Sequence, residues 1–116
     1  MKETKFYEGQ LPVAILNTAI LTNVGSYELK DISLEVAKEI IKNNSFISAV
    51  GHKSTSEILT NLLDVEVPMN RIEFKQEQNQ VALVFKLNGR PEEGKILTKE
   101  EIEGIGYKFQ VLKKIN

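Results

Sequence analysis

Gln80-Val81-Ala82-Leu83-Val84-Phe85-Lys86-Leu87 is the stretch that decides the fold. Side chains of an extended chain alternate between two faces, so Val81, Leu83, Phe85 and Leu87 share one side and Ala82 and Val84 the other. A strand that is apolar on both sides has to be covered on both sides, which places it inside a sheet rather than at its edge.

Reading outward toward the N-terminus, Arg71-Ile72-Glu73-Phe74-Lys75 alternates polar and apolar residues as a half-buried strand does, and the link from Gln76 to Asn79 suits a hairpin to the central strand. Pro68 and Asn70 mark a loop before it. Ser54-Thr55-Ser56-Glu57 has the spacing of a capping box ahead of Ile58, Leu59, Leu62 and Leu63, so a helix is expected to begin at Ser54 or Thr55. Phe46 to Val50 is a short apolar run broken by Gly51. Leu34, Ala37, Ile40 and Ile41 recur at helical spacing after the N-cap candidates Asp31 and Ser33, with Asn43 and Asn44 as a stop. Gly25 to Ile32 reads as a turn into a short strand, and Val13-Ala14-Ile15-Leu16, opened by Pro12 and ended by Asn17, reads as a buried one.

Toward the C-terminus, Gly89 to Lys95 is a loop, Thr98-Lys99-Glu100-Glu101 is a second capping box, and Gly104 or Gly106 ends a short helix before a last strand, Tyr107 to Leu112. This mixture of strands, helices and one hairpin predicts an α/β or α+β protein, a single mixed sheet flanked by helices, with residues 1–116 as one domain.

The bulk numbers fit that size. A chain of 116 residues forms one domain and buries roughly two-thirds of its unfolded surface. Fifteen basic and sixteen acidic side chains leave a net charge of -1, which argues against a protein that coats long nucleic acid, while a small anion needs only a few local cations. With no cysteine and one histidine, neither a thiolate nor a His-rich metal centre can be built, and no cofactor is expected. Met1 to Gln10 is polar and no apolar run is long enough to span a bilayer, so no membrane partner and a cytoplasmic address are expected.

Two stretches carry chemistry. Gly51-His52-Lys53-Ser54-Thr55 stands at the mouth of an expected helix, where free amides, hydroxyls and the helix dipole favour a phosphate. Gly51 permits close backbone approach, Ser54 and Thr55 offer hydroxyls, and His52 is the one side chain that readily exchanges a proton near neutrality. Taken alone, the same residues also fit a plain Ser54 cap and a polar loop histidine. Asn88-Gly89-Arg90-Pro91-Glu92-Glu93-Gly94-Lys95 follows the central strand and nearly spells a P-loop. Ile96 replaces the hydroxyl that would hold magnesium, however, and Glu92 and Glu93 would repel phosphates, which excludes nucleoside triphosphate binding. Arg90 instead suits a phosphate under attack and Glu93 an imidazole in need of orientation or charge; a solvated charged turn is the plainer use. Arg71, after Asn70, adds a further cation at a strand start.

Together these blocks resemble the viral ring nuclease family, anti-CRISPR proteins that act against type III systems. The likeness runs nearly the full length and rests on Leu16-Asn17, on Ala49-Val50-Gly51-His52-Lys53-Ser54-Thr55, on Asn70-Arg71-Ile72-Glu73, and on Arg90-Pro91-Glu92-Glu93-Gly94-Lys95-Ile96-Leu97. It implies a two-fold homodimer that binds cyclic tetra-adenylate across its interface and cuts it without metal to linear di-adenylate, in the cytoplasm of a host cell if the protein is viral. On the resemblance His52 matches the general acid, Arg90 and Glu93 the catalytic-loop residues, and Asn17, Ser54, Thr55 and Arg71 the ligand contacts. Where the family often has a serine three residues past the strand-end asparagine, this chain has Ile20, so a hydroxyl contact there is either lost or supplied by Thr18; Pro91 stands where some relatives carry leucine. Two other functional classes use the same features: a sponge that binds the cyclic messenger without cutting it, and a regulatory module that binds a protein partner.

Overall fold

The structure, a computed structural model, describes residues 11–89 and 98–116. Among them the chain forms strands β1 (Val13–Asn17), β2 (Tyr27–Ile32), β3 (Phe46–Ser48), β4 (Val81–Leu87) and β5 (Tyr107–Lys114), and helices α1 (Leu34–Asn43), α2 (Lys53–Leu63) and α3 (Lys99–Ile105). All five strands belong to one mixed sheet in the order β2-β5-β4-β1-β3. β1 runs parallel to both β3 and β4, with Ile15 opposite Ser48 on one side and Leu83 on the other. β5 is antiparallel to β4 and to β2. The mixed sheet with helices is thus an α+β arrangement.

β4 sits in the middle, as its two-sided pattern requires. Val81, Leu83 and Phe85 join the larger apolar cluster, with Val36, Ala37, Ile40 and Ile41 of α1, Ile58, Leu59, Leu62 and Leu63 of α2, and Ile102 of α3. Ala82 and Val84 join a smaller cluster on the other face with Ala14, Leu16 and Leu112. The three described helices therefore all pack on one face. Phe85, Tyr107 and Phe109 stack at ring separations of 5.4 to 6.0 Å where β4 meets β5, a spacing at which tilted aromatic pairs attract beyond simple burial.

Two helix starts follow their sequence signals. Ser33 caps α1, its hydroxyl accepting from the Val36 amide at 3.2 Å, and Asn44 closes the other end by donating Nδ2 to the Ile40 carbonyl. Thr98 and Glu101 form the reciprocal capping box at α3, and Gly106 ends that helix at φ 90, a conformation that favours glycine.

Two expectations fail. Residues 71–75 form no strand and no hairpin with β4, because both edges of β4 are already taken by β1 and β5. Of the two apolar residues in this stretch, Phe74 is partly buried against the small cluster, whereas Ile72 is exposed. Gln76 is fully buried there, with Nε2 donating to the carbonyls of Gln80 and Leu112 at 2.7 and 2.8 Å and its amide donating to Thr22 Oγ1. The second failure is the start of α2. It begins at Lys53 with His52 as the N-cap in extended backbone, and no Ser54-to-Glu57 capping box forms. Ser56 instead turns its hydroxyl back to donate to the Lys53 carbonyl at 2.8 Å, while its amide makes the first helical bond, to the His52 carbonyl.

Candidate functional site

Because β3, β1 and β4 are mutually parallel, their carboxyl ends open on the same edge of the sheet, the edge at which such sheets commonly hold ligands. β1 delivers Asn17, half-buried, and Thr18, exposed. Thr18 adopts φ 69, and its amide donates to the Phe85 carbonyl at 2.9 Å, which turns the chain across the end of β4. β4 delivers Asn88 and Gly89 at the same edge, where the Asn88 amide donates to the Gly106 carbonyl.

β3 delivers the turn that leads into α2. Val50 is wholly buried and anchors it in the larger core cluster. Gly51 then carries a bond from a residue distant in sequence: Arg71 Nε donates to the Gly51 carbonyl at 2.8 Å. A side chain at position 51 would place its Cβ 3.3 Å from Arg71 Cγ, so the arginine would have to shift by a few tenths of an ångström to accommodate one. His52 follows, exposed, with no side-chain capping bond. Ser54 and Thr55 occupy the second and third positions of α2, both half-buried.

The electrostatics of this helix head are set by what its first turn omits. α1 begins with Glu35 and α3 with Glu100 and Glu101, whereas the first turn of α2 has no acidic residue and starts with Lys53. Amides at the head of a helix carry partial positive charge and have no partner within the helix. With Lys53 and Arg71 beside them, the amides of residues 53–55 face an environment that favours an anion.

The sheet edge thus gathers Asn17, Thr18, Gly51, His52, Ser54, Thr55 and Arg71, all singled out in the sequence. Arg90 and Glu93 lie outside the described residues, in 90–97. Sequence reasoning missed Ser48 and, except as a loop marker, Asn70. Ser48 is buried and donates its hydroxyl to the Pro68 carbonyl at 2.7 Å, and Asn70 donates to the carbonyls of Val50 and Ser48, both at 2.7 Å. Pairings across some twenty residues leave no periodic trace in a sequence. An open groove of about 350 Å³ also runs beside α2, lined by Ser56, Glu57, Thr60, Glu66, Val67 and Pro68 among others, and none of the residues gathered at the sheet edge lines it.

The family model for STIV B116-like proteins matches residues 13–109, from the first residue of β1 into β5. The chain belongs to the STIV B116-like family. Its relatives in this family come from viruses and from a bacterium. Uncharacterized protein 26 of Sulfolobus islandicus filamentous virus is 46% identical over 98 residues, covering 80% of this chain and 83% of the relative. Uncharacterized protein YddF of Bacillus subtilis is 32% identical over 108 residues, covering 91% of this chain and all of the relative. The solved structure of B116 of Sulfolobus turreted icosahedral virus superposes with a TM-score of 0.72 at 23% identity, covering 88% of this chain and 98% of that one, which shows a shared fold. Among the described residues no helix is long and apolar enough to cross a membrane.

Proposed function

We propose that this STIV B116-like protein is a ring nuclease that cuts cyclic tetra-adenylate to linear di-adenylate, works as a homodimer and counteracts type III CRISPR signalling in the cytoplasm of a host cell. The observation that carries the reading is the head of α2: an exposed histidine at the cap, free amides behind it, and Arg71 alongside, at the sheet edge where Asn17 also ends. The resemblance to viral ring nucleases in the blocks around Asn17, His52, Arg71 and Arg90 supplies the substrate.

RNA carries its own nucleophile. A ribose 2′-hydroxyl attacks the adjacent phosphorus and loses its proton to water, and the bond from phosphorus to the 5′-oxygen breaks. That oxygen takes a proton from the protonated His52 imidazolium, leaving a 2′,3′-cyclic phosphate and a neutral imidazole that water reprotonates. Two such cuts convert a ring of four into two linear dinucleotides. Holding the attacking oxygen in line is worth several kcal/mol of the barrier, about 7 to 11 in the best-oriented model reactions. In this scheme the α2 amides, Ser54, Thr55 and Arg71 grip phosphate and ribose, Asn17 and Thr18 bind from β1, Arg90 offsets charge on the phosphoryl oxygens, and Glu93 orients or charges the imidazole. A four-fold repetitive ring presents equivalent faces to two equivalent half-sites, which is what an isologous dimer offers.

The amides and Arg71 would hold a phosphate even without proton transfer, so binding without cutting is the second reading. Incubating the protein with labelled cyclic tetra-adenylate in EDTA separates the two. Linear di-adenylate with cyclic phosphate ends is expected; recovery of intact ring bound to protein would leave a sponge, and no binding at all would end both readings.

A further inference from the structure

We infer that Asn70 is a positioning residue for His52: it fixes the β3–α2 turn from outside the sheet and thereby sets where the imidazole stands. The inference rests on the ring nuclease reading for its activity assay and on geometry for its substance. β3 is an edge strand of three residues whose inner side pairs with β1, so that the Ala49 amide donates to the Ile15 carbonyl. In a strand the backbone groups of alternate residues point the same way, which turns those of Ser48 and Val50 outward, away from β1. There they meet residues 67–71 in place of a sixth strand. The Asn70 amide donates to the Val50 carbonyl and its side-chain Nδ2 to the Ser48 carbonyl, each at 2.7 Å, so one residue satisfies both outward acceptors.

The strap formed by residues 67–71 is tied to the neighbouring elements at other points. Ser48 Oγ donates to the Pro68 carbonyl, the Val67 amide donates to Thr60 Oγ1 of α2 at 2.9 Å, and Arg71 Nε donates to the Gly51 carbonyl. The strap therefore joins the end of β3 to the body of α2, and His52 is the hinge between them. Gly51 is the residue of the turn least able to set its own direction, since glycine populates backbone conformations that other residues avoid. The heading of the chain into His52 is set by the bonds on either side of Gly51, and Asn70 provides the pair at Ser48 and Val50. Asn70 itself is half-buried, and its side-chain Nδ2, bonded to the Ser48 carbonyl, is the part of this pair that a substitution removes.

The test is a double-mutant cycle with a spectroscopic arm. Asn70→Ala is expected to slow single-turnover cleavage of cyclic tetra-adenylate about tenfold or more in the otherwise unchanged protein and to change nothing further in a His52→Ala background, because both substitutions remove the same contribution. An unchanged rate, or an equal further loss in the His52→Ala background, would overturn the inference. Independently of activity, the ring nitrogen and carbon-bound proton signals of His52 in nuclear magnetic resonance spectra are expected to shift in Asn70→Ala; coincident signals would overturn it. If the wild-type protein cuts no ring, the functional reading fails and the spectroscopic arm alone decides the positioning role. Asn70→Ser likewise keeps the backbone bond to Val50 and removes the Nδ2 donor but leaves a polar side chain in this half-buried place, so it replaces Asn70→Ala should that variant lose its cooperative melting transition. If both lose it, Asn70 is a folding residue and the inference is overturned.

Discussion

The heads of α1 and α3 differ from the head of α2 in every respect that physical chemistry makes important. Ser33 and Thr98 each place a hydroxyl on an amide of the first turn, and acidic side chains follow within that turn. Each of these helices satisfies an amide of its own first turn and places negative charge beside it, which disfavours an anion there. At α2 the cap is a histidine with no side-chain capping bond, the first turn has no carboxylate, and an arginine lies against the preceding glycine. A missing cap costs about 1 kcal/mol of stability. A helix head left open at that cost, on the sheet edge where three parallel strands end, is what the proposed ligand site rests on.

Closing the open head would break the contrast most sharply. Thr55→Glu puts a carboxylate at the third position of α2, where α3 has its own glutamate, Glu101. It is expected to weaken binding of cyclic tetra-adenylate by about tenfold or more, as a carboxylate competes with phosphate for the same amides, and to raise stability by about 0.3 to 1 kcal/mol. Calorimetric titration and urea melts would read the two effects; tighter binding would mean that the ring does not use this helix head.

Opening the closed heads should do the reverse. Ser33→Ala and Thr98→Ala are each expected to cost about 1 kcal/mol in urea unfolding and to leave ring affinity unchanged. A loss of affinity in Ser33→Ala with no change in stability would place the ligand elsewhere than at α2.

The smallest expected effect concerns Tyr107, which stands at the end of β5 opposite Leu87. Burial pushes its phenol above the usual value, reinforced by the nearby charges of Glu103 and Glu35. The folded protein thus holds this proton more tightly than the unfolded chain, a contribution to stability that is complete below about pH 10 and lost as pH rises through the raised value. Tyr107→Phe should flatten the alkaline limb of a stability-against-pH curve measured by urea melts, and an identical limb in both proteins would show that the phenol holds its proton no more tightly in the folded protein than in the unfolded chain.

How much of this was legible in the sequence follows the range of the interactions. β4 announced its central place because a pattern apolar on both faces has one interpretation, and the caps of α1 and α3 are local signals within four residues. The start of α2 misled because several polar residues in a row each suit a cap. Which of them takes the extended backbone is decided by the bonds that hold Val50 and Gly51 from the distant strap. Residues 71–75 misled for a related reason: the alternation has the look of a strand, yet Phe74 is partly buried on a sheet face without pairing to any strand and Ile72 is exposed. For the site, the strand end at Asn17 and the helix mouth at Gly51 to Thr55 were readable as places where ligands gather. That Arg71 binds the Gly51 carbonyl and Asn70 the two carbonyls before it was not, since such pairings depend on the fold as a whole.

The central claim is that the imidazole at the open head of α2 donates the proton that lets the ring open. Single-turnover cleavage of cyclic tetra-adenylate by wild type and by His52→Ala, with ring affinity measured on the same samples, tests it most directly. The account predicts that the variant binds the ring with little change and cuts it about a hundredfold or more slowly, the range typical of losing a general acid. Equal cleavage rates in the two proteins would contradict it.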